Sequence, residues 1–270
     1  MSCVLCNDSN TMVEMVGPVE TYRCNNCDLQ FVPEYGNELD FHRNYFDKTR
    51  QHNELLNSLR QEQYKIDADH FSSFIQSGNV LDIGCSRGNF TYLISRKYQY
   101  QKLTGIDIDS SAIQFARENI KQENLEFIDT DFKNFEPTTL YDAVIFRGTF
   151  QYLGSTIQQV CLKLKSTLKK NGLIFIYSLQ NADSFVFYLV KEKWVLFNPQ
   201  EHKLFFNEKS LAFLCKNYNF KIEELSYPYI GTPYENKEKD YQSVVEIIKS
   251  GIPASPPFLG NIFQLVLRNE

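Results

Sequence analysis

The sequence predicts an α/β fold: a doubly wound, mostly parallel sheet of seven strands, preceded by a small N-terminal unit held together by cysteines. Three observations support this prediction. Through the middle of the chain, short apolar segments alternate with segments of helical periodicity, as in sheets whose strands are joined by crossover helices. The last two apolar segments break that alternation. Four of the seven cysteines lie within the first 27 residues.

The four N-terminal cysteines form two Cys-x2-Cys pairs, Cys3 with Cys6 and Cys24 with Cys27, with 17 residues between the pairs. This spacing is typical of a zinc ribbon, in which two tight turns direct four thiolates at one ion. Four sulfur ligands leave no position open for water, so we expect a structural Zn²⁺. The prediction assigns residues 1–35 to this ribbon, and the metal would supply its folding energy because so short a segment has almost no core.

A helical connector, or cap, is predicted between the ribbon and the sheet, over residues 36–76. Apolar side chains recur at roughly helical spacing from residue 54 to residue 76, among them Leu59, Ile66 and Phe71. Gly78 follows them and is expected to end the helix. Residues 77–270 are assigned to the sheet domain.

The order of strands and helices in the sheet domain follows from the same periodicity. After residue 181 the pattern changes. A helix precedes two strands with only a loop or a short helix between them, which indicates an antiparallel addition at the sheet edge. Insertions near 182–210 and near 228–260 are expected to cover a substrate site. The predicted strands are 79–83, 103–107, 125–128, 141–146, 172–178, 220–227 and 261–268, with helices near 89–98, 110–121, 155–170 and 207–217.

The stretch "LDIGCSRGNF" (81–90) places an acid, Asp82, on a strand and two glycines, Gly84 and Gly88, in the turn that follows. A dinucleotide fingerprint needs glycines at positions one, three and six, and these stand at one and five. No Gly-Lys-Ser/Thr follows, which excludes a phosphate-binding P-loop. The pattern resembles the first motif of the class I S-adenosylmethionine-dependent methyltransferases, with Ser86 where a third glycine is common.

Four further segments match later motifs of the same methyltransferase class in order, over about 100 residues. They are "LTGIDIDSSAIQFAREN" (103–119), "FIDTDFKNF" (127–135), "YDAVIFRGTFQYL" (141–153) and "LKKNGLIFIYSLQN" (168–181).

The resemblance implies a Rossmann-like methyltransferase domain with S-adenosylmethionine as its cofactor. It also implies roles for single residues. Asp107 would accept both ribose hydroxyls, Ile108 would pack on the adenine, Asp131 would accept from the adenine amino group, and Phe132 would line the pocket. The full set of expected donor-binding residues is Asp82, Gly84, Cys85, Ser86, Gly88, Asp107, Ile108, Asp131, Phe132 and Arg147, the last of these in the segment beside the methyl donor.

Both ends of the chain carry a further resemblance. The ribbon continuing as "YRCNNCDLQFVPEYG" and the segment "WVLFNPQEHKLFFNEKSLAFLCKNYNF" are similar to a group of bacterial methyltransferases associated with sugars, surface polysaccharides and natural products. This resemblance implies a small polar acceptor, a hydroxyl of a sugar or polysaccharide precursor such as a nucleotide sugar or glycan.

Two residues are candidates for the general base that a hydroxyl acceptor would use. His202 lies in the aromatic segment expected to fold over the pocket, and Tyr152 follows the fourth strand of the sheet. A packing or capping role is the alternative for His202. Likewise, Trp194, Phe197, Phe205 and Phe206 suit either a substrate site or an aromatic core. No Asn/Asp-Pro-Pro-Tyr follows the fourth strand, which argues against methylation of exocyclic base amines.

The net charge of −5 and the pI of about 5.5 argue against a nucleic-acid partner. Two alternatives stay open: an RNA methyltransferase that uses the ribbon to bind RNA, and a catalytically silent, donor-binding partner subunit. No apolar run reaches the about 18 residues that a membrane span needs, and residues 1–30 lack the pattern of a signal peptide. The sequence therefore predicts a cytoplasmic protein. No feature of the sequence specifies an oligomeric state.

Overall fold

Two β-sheets organise the chain in the computed structural model, which describes residues 1–33, 54–194, 196–250 and 260–270. The first sheet begins at the N-terminus, with β1 (Thr11–Val16), β2 (Val19–Cys24) and β3 (Gln30–Phe31). β1 and β2 form an antiparallel hairpin that turns at residues 17 and 18, and β3 pairs antiparallel with β2. A fourth strand joins β3 from a much later part of the chain.

The second sheet has seven strands and forms the body of the molecule. Its first five strands are joined by helices, except that only the short helix Phe132–Asn134 lies between β6 and β7, and all four pairings among them are parallel. The elements of this part are α1 (Glu54–Phe74), β4 (Asn79–Ile83), α2 (Asn89–Ser95), β5 (Lys102–Asp107), α3 (Ser110–Asn119), β6 (Leu125–Asp129), β7 (Tyr141–Arg147), α4 (Ile157–Thr167) and β8 (Leu168–Gln180).

The alternation ends after β8. The C-terminal strands enter beside β8 and run antiparallel to it and to each other. The strand order is β10-β11-β8-β7-β4-β5-β6. The elements of this part are α5 (Phe185–Val190), β9 (Leu204–Phe205), α6 (Glu208–Tyr218), β10 (Phe220–Ser226), α7 (Lys237–Ser250) and β11 (Ile262–Asn269).

This topology confirms the predicted seven-stranded, mostly parallel sheet with an antiparallel edge. Two details differ from the prediction. The strand predicted from residue 172 begins at Leu168, because Leu168 already pairs with Tyr141 of β7. The connection between the last two strands carries α7, a helix of 14 residues, where a loop or short helix was expected. Residues 34–53, which include the first part of the predicted connector, and residues 251–259 lie outside the described ranges.

Both faces of the large sheet are covered, as parallel strands require. On one face, Phe71 of α1 packs against Phe175 of β8, and Phe90 of α2 belongs to the same core cluster. On the other face, Leu164 of α4 and Leu211 of α6 belong to the larger core cluster. Cys3, Cys24, Cys27, Leu29 and Phe31 of the N-terminal sheet belong to that same cluster. No helix within the described ranges combines the length and the apolarity that crossing a bilayer demands.

Candidate functional site

The glycine turn after β4 has a backbone that requires residues without bulk. Gly84 has φ +77°, and a Cβ at this position would lie 2.3 Å from Oγ1 of Thr149. Gly88 has φ +73°, and a Cβ at this position would lie 2.3 Å from Cζ of Phe127. The amides of Gly84 and Cys85 both donate to the carbonyl of Ile106, which ties the turn to β5. The turn is therefore a fixed, narrow cradle at the carboxyl ends of β4 and β5.

Ser86 occupies the third position of this cradle in a left-handed conformation, with φ +49°. Its amide donates to Oδ2 of Asp107 at 2.8 Å. Glycine adopts this backbone conformation without strain, which explains why it is common at this position in the class that the turn resembles. The serine keeps the conformation and leaves its side chain exposed.

Asp107 ends β5 and holds the turn in place while remaining accessible. Its carboxylate accepts from the amide of Ser86 and, at 2.9 Å, from that of Asp109. Burial raises the pKa of Asp107, and the backbone amides oppose that shift. Two carboxylate oxygens offer about four acceptor positions, so these two bonds leave capacity for the hydroxyls of a ligand.

Asp82 supports the same turn from the interior. It is 2% exposed, and the hydroxyl of Thr91 on α2 donates to it at 2.6 Å. Burial raises the pKa of Asp82 to about 6, against the opposing effects of Thr91 and of the Arg147 charge. The carboxylate therefore joins β4 to α2, the two elements that flank the glycine turn.

The other predicted donor contacts occupy different environments. Asp131 accepts from the amide of Lys133 at 2.9 Å and caps the short helix Phe132–Asn134, while Ile108 is half-buried beside Asp107. Phe132 is 4% exposed and belongs to the larger core cluster. Cys85 is 7% exposed and packs with Phe127. Burial raises the pKa of the Cys85 thiol, which is consistent with a packing role.

Arg147, at the end of β7, is anchored by residues that the sequence analysis did not identify. Its Nε donates to Oδ2 of Asp67 at 2.8 Å, and its guanidinium lies 3.9 Å from the ring centroid of Tyr64. Both partners are on α1. Burial raises the pKa of Asp67 despite the adjacent arginine, and Gln63 donates to its other oxygen at 2.7 Å. The helical spacing of Gln63 and Asp67 was a visible signal, but nothing in the sequence linked it to Arg147.

The two candidate bases, His202 and Tyr152, contact each other. Nε2 of His202 lies 3.3 Å from the Tyr152 hydroxyl, and Nδ1 lies 3.1 Å from the carbonyl of Leu196. The Tyr152 hydroxyl also lies 3.5 Å from a carboxylate oxygen of Glu201. Tyr152 ends a short helix that begins just after Thr149, the residue that abuts Gly84. The short helix that carries Tyr152 therefore starts beside the glycine turn.

The aromatic residues around His202 form a core. Trp194, Phe197, Phe205 and Phe206 are between 0% and 6% exposed. Phe187 of α5 stacks on Phe197 at a centroid distance of 5.6 Å. Of the two interpretations open for these residues, the structure favours the aromatic core.

A cleft of about 690 Å³ opens between the N-terminal sheet and α5, and part of its lining comes from the insertion predicted near 182–210. Two aromatic residues of α5 line it with much of their surface exposed: Phe185 is 65% exposed and Tyr188 is 71% exposed. Charged groups, among them Arg23, Asp183 and Lys191, line it together with apolar side chains such as Val16. Aromatic faces beside charged groups offer both stacking and hydrogen bonding to a polar molecule.

The four N-terminal cysteines meet at one point. Their Sγ atoms all lie within 4.8 Å of one another, with Cys3–Cys27 and Cys6–Cys24 each at 3.5 Å. A tetrahedral Zn²⁺ with Zn–S bonds of about 2.3 Å would set sulfur atoms about 3.8 Å apart. The hydrogen bond with Cys3 and burial raise the pKa of the Cys27 thiol. Four thiolates this close together repel one another, and a cation would neutralise their charge. The geometry and chemistry of this cluster fit zinc.

The two cysteine turns share one backbone pattern. In the first turn, the amide of Cys3 donates to the carbonyl of Asp8, and the amide of Asn7 donates to the carbonyl of Cys3. In the second turn, the amide of Cys24 donates to the carbonyl of Leu29, and the amide of Asp28 donates to the carbonyl of Cys24. Asn7 and Asp28 have φ of +61° and +64°. The repeated geometry is that of a metal-binding knuckle, in which the turn directs two sulfurs the same way.

Comparison with known proteins agrees with this geometry. A family model described as "Methyltransferase domain" matches residues 50–225. The malonyl-[acyl-carrier protein] O-methyltransferase of Acetivibrio thermocellus is 34% identical over 99 residues, 36% of this chain and 34% of the relative. Malonyl-[acyl-carrier protein] O-methyltransferase 2 of Ilyobacter polytropus is 26% identical over 209 residues, 73% of this chain and 77% of the relative.

Among solved structures, the plantazolicin methyltransferase BpumL in complex with SAH has a TM-score of 0.59 at 21% identity, covering 86% of this chain and 94% of that one. The fold and the family match thus define the class I S-adenosylmethionine-dependent methyltransferases. This chain belongs to the methyltransferase domain family whose model spans residues 50–225, and it is an S-adenosylmethionine-dependent enzyme. Both relatives are named for malonyl-[acyl-carrier protein], so the sugar acceptor stays a prediction.

Proposed function

We propose that this methyltransferase acts on a hydroxyl of a small polar acceptor, a sugar or a surface-polysaccharide precursor such as a nucleotide sugar. The observation that supports this proposal is the contact between His202 and Tyr152, 3.3 Å apart, in which Tyr152 belongs to the short helix that follows Thr149 at the glycine turn. A histidine in contact with a tyrosine, on a helix that starts at the glycine turn, suits an acceptor whose proton must be removed.

The donor side of the site is assigned to the residues around the glycine turn. S-adenosylmethionine supplies, when bound, a methyl group already activated on a positively charged sulfur. The chain itself has to hold the donor, orient the acceptor and exclude water. We assign donor binding to the cradle of Gly84 and Gly88 and to the accessible carboxylate of Asp107. The other predicted contacts assigned with them are Asp82, Cys85, Ser86, Ile108, Asp131, Phe132 and Arg147.

The tautomer of His202 suits it to act as a base. The carbonyl of Leu196 can only accept a hydrogen bond, so Nδ1 at 3.1 Å carries the ring proton in the neutral histidine. Nε2 then presents its lone pair towards the Tyr152 hydroxyl. The Tyr152 hydroxyl then donates to Nε2, and an acceptor hydroxyl beside Tyr152 could give its proton to the Tyr152 oxygen while the Tyr152 proton moves to Nε2 and the acceptor oxygen attacks the methyl group.

Substitution at His202 tests the proposal. Purified protein is offered nucleotide sugars and glycans, and S-adenosylhomocysteine release is measured for the wild type and for His202→Gln. We expect kcat on the active hydroxyl acceptor to fall about 100-fold or more in the variant, since general-base catalysis contributes at least that much. Calorimetric affinity for S-adenosylhomocysteine should stay the same. Unchanged kcat in His202→Gln would contradict the assigned role.

A carboxylic acid acceptor is the second candidate, and Arg147 favours it. Within the described ranges Arg147 engages Asp67 through Nε, which leaves its Nη groups to bind a ligand carboxylate. The relatives named for malonyl-[acyl-carrier protein] are consistent with such an acceptor. A carboxylate is already ionised at neutral pH and needs no base. His202→Gln should therefore leave methylation of a dicarboxylic acid or malonyl thioester within about threefold of wild type.

We also propose that Cys3, Cys6, Cys24 and Cys27 bind one structural zinc ion. The convergence of their four sulfurs within 4.8 Å supports this. Metal analysis of protein purified without chelators should give about one zinc per chain, and a value well below one would contradict the proposal. The ribbon is poorly suited to RNA, since residues 1–33 contain four carboxylates and one arginine.

A further inference from the structure

The N-terminal ribbon and the segment that carries His202 share one short sheet. β3 pairs antiparallel with β9, matching Gln30 with Phe205 and Phe31 with Leu204. The pairing extends one residue further, because the amide of Val32 donates to the carbonyl of Lys203 at 3.0 Å. β3 starts three residues after Cys27, and Lys203 directly follows His202. The backbone path from a cysteine turn to His202 is therefore short and hydrogen-bonded.

Lys203 is held from both sides. Its carbonyl accepts from Val32 of the ribbon, and its amide donates to the carbonyl of Gln151 at 3.0 Å. Gln151 is the neighbour of Tyr152 in the short helix after β7. The backbone of residue 203 therefore spans the gap between the ribbon and the helix that carries Tyr152, with the ring of His202 beside it.

β3 and β9 have only two residues each and need outside support, because isolated short strands are unstable in water. The second cysteine turn supports β3 directly, since Cys24 and Leu29 are hydrogen-bonded across it. A metal ion at the cysteines would fix that turn, because metal binding supplies the folding energy of such small units.

Each cysteine turn is also bonded to the methyltransferase domain. Asn7, after the first turn, exchanges two side-chain hydrogen bonds with Gln158 of α4, at 2.8 Å and 3.2 Å. Asp28, after the second turn, accepts from the side chain of Asn207 at 2.9 Å, next to α6. These are the two residues that the knuckle geometry places at positive φ. The attachment to the domain therefore depends on the shape of the turns.

We propose that the four-cysteine ribbon is a positioning element for His202. Metal held by Cys3, Cys6, Cys24 and Cys27 orders β3, and β3 sets β9 and the His202 ring against Tyr152. The acceptor side of the site then depends on the metal, whereas the donor side depends on contacts among β4, β5 and α2. This inference rests on the proposed function for its catalytic meaning, while the positioning itself is a structural property that is measured without turnover.

Histidine ring signals give the test, because the chain has only four histidines. His70 serves as an internal control: its ring contacts Tyr177 at 3.0 Å and Glu224 at 3.1 Å on the opposite face of the large sheet. Full-length protein labelled with ¹³C-histidine is compared with zinc bound and after chelation, and signals are assigned with His202→Gln and His70→Gln. We expect chelation to shift or broaden the His202 signal and to leave that of His70 in place, with S-adenosylhomocysteine affinity changed less than about twofold.

A matched pair of cysteine variants repeats the test without a chelator. Cys27→Ser removes one sulfur of the cluster, and Cys215→Ser makes the same change at a buried cysteine of α6 outside it. The His202 signal should move in the first variant only. Free exchange of the ribbon amides in chelated wild-type protein shows that the ribbon has loosened. If the His202 signal does not move in that protein, the proposal is overturned. Equal movement of the His202 and His70 signals would also overturn it. Failure of His202 as the base would appear separately, as unchanged turnover in His202→Gln.

Discussion

At the scale of single residues, Ser86 shows how a departure from a motif can keep its geometry. The turn needs a left-handed residue whose amide reaches Asp107, and Ser86 supplies both with φ +49° and a bond of 2.8 Å. Gly84 has no such freedom, because a Cβ there would meet Thr149 at 2.3 Å. The two small residues of one turn therefore face different constraints, backbone strain at one and lack of space at the other.

Substitutions at these two positions should differ sharply. Ser86→Gly relieves a strained backbone of about 1 kcal/mol, which the flexibility of glycine in the unfolded chain offsets, so stability and donor affinity should change little. Gly84→Ala adds both a strained φ and a clash, and we expect a loss of about 2 kcal/mol or more in the free energy of unfolding. Urea denaturation and calorimetry with S-adenosylhomocysteine measure both effects. Equal losses in the two variants would contradict this account.

The raised pKa of Asp82 predicts how stability depends on pH. The folded protein holds the proton up to pH about 6, whereas an unfolded chain releases it near 3.8. The folded state therefore binds more protons between these values, and stability falls as pH rises through that window, by about 3 kcal/mol at most. In Asp82→Asn this contribution disappears, so the curve of unfolding free energy against pH should be flatter between pH 4 and pH 6. Asp69→Asn, at a carboxylate with 70% of its side chain exposed, should keep the wild-type curve.

At the scale of elements, the sequence predicted the sheet well because the crossover pattern is local. The strands β4 to β7 have five to seven residues each, with apolar residues among them, and a turn or loop follows each one, so the local pattern is enough to locate them. The pairing of β3 with β9 had no such signal. Both strands have two residues, and 172 residues separate Phe31 from Leu204 in the sequence, so only the folded arrangement brings the strands together.

The candidate site also has one part that the sequence predicted and one part that it did not. The donor turn and Asp107 were identified because their residues stand in a motif of fixed spacing. The contact of His202 with Tyr152 was not predicted, although both residues were, because the segments that carry them are 50 residues apart. Asp67 and Tyr64 were missed because a helix that packs on the sheet gives no local sign of which strand end it meets.

The ion pair of Asp67 on α1 with Arg147 at the end of β7 should contribute to stability. The Asp67 side chain is 3% exposed, and Arg147 is the cation paired with it among the described residues. Arg147→Met would leave a buried carboxylate unpaired, which costs about 3 kcal/mol, whereas replacing both partners costs less than the sum of the single changes. A urea-denaturation cycle of Asp67→Asn, Arg147→Met and the double variant measures the coupling. We expect a coupling energy of about 1–3 kcal/mol between Asp67 and Arg147. A coupling energy near zero would exclude an energetic link between the two side chains.

At the scale of the whole molecule, the ribbon and the methyltransferase domain form continuous hydrophobic clusters. Cys3, Cys24 and Phe31 share one with Phe150 and Phe206. Val16 and Val32 share another with Trp194. A small unit that packs into a larger core unfolds together with it as long as its own structure is intact. The metal should therefore decide whether the molecule unfolds in one step or two.

Trp194 reports on this directly, because it is the single tryptophan, is fully buried and lies in the cluster that joins the ribbon to α5. With zinc bound, urea unfolding followed by tryptophan fluorescence and by far-ultraviolet circular dichroism should give the same midpoint. After chelation the ribbon loses its folding energy, and the fluorescence midpoint should fall below that of circular dichroism, which reports mainly on the large sheet and its helices. Phe187→Leu, which alters the ring 5.3 Å from Trp194 and keeps the cysteines, should preserve coincident midpoints when zinc is bound. Coincident midpoints in metal-free protein would show that the ribbon needs no metal to stay docked, and the dependence of the acceptor side on zinc would fail with it.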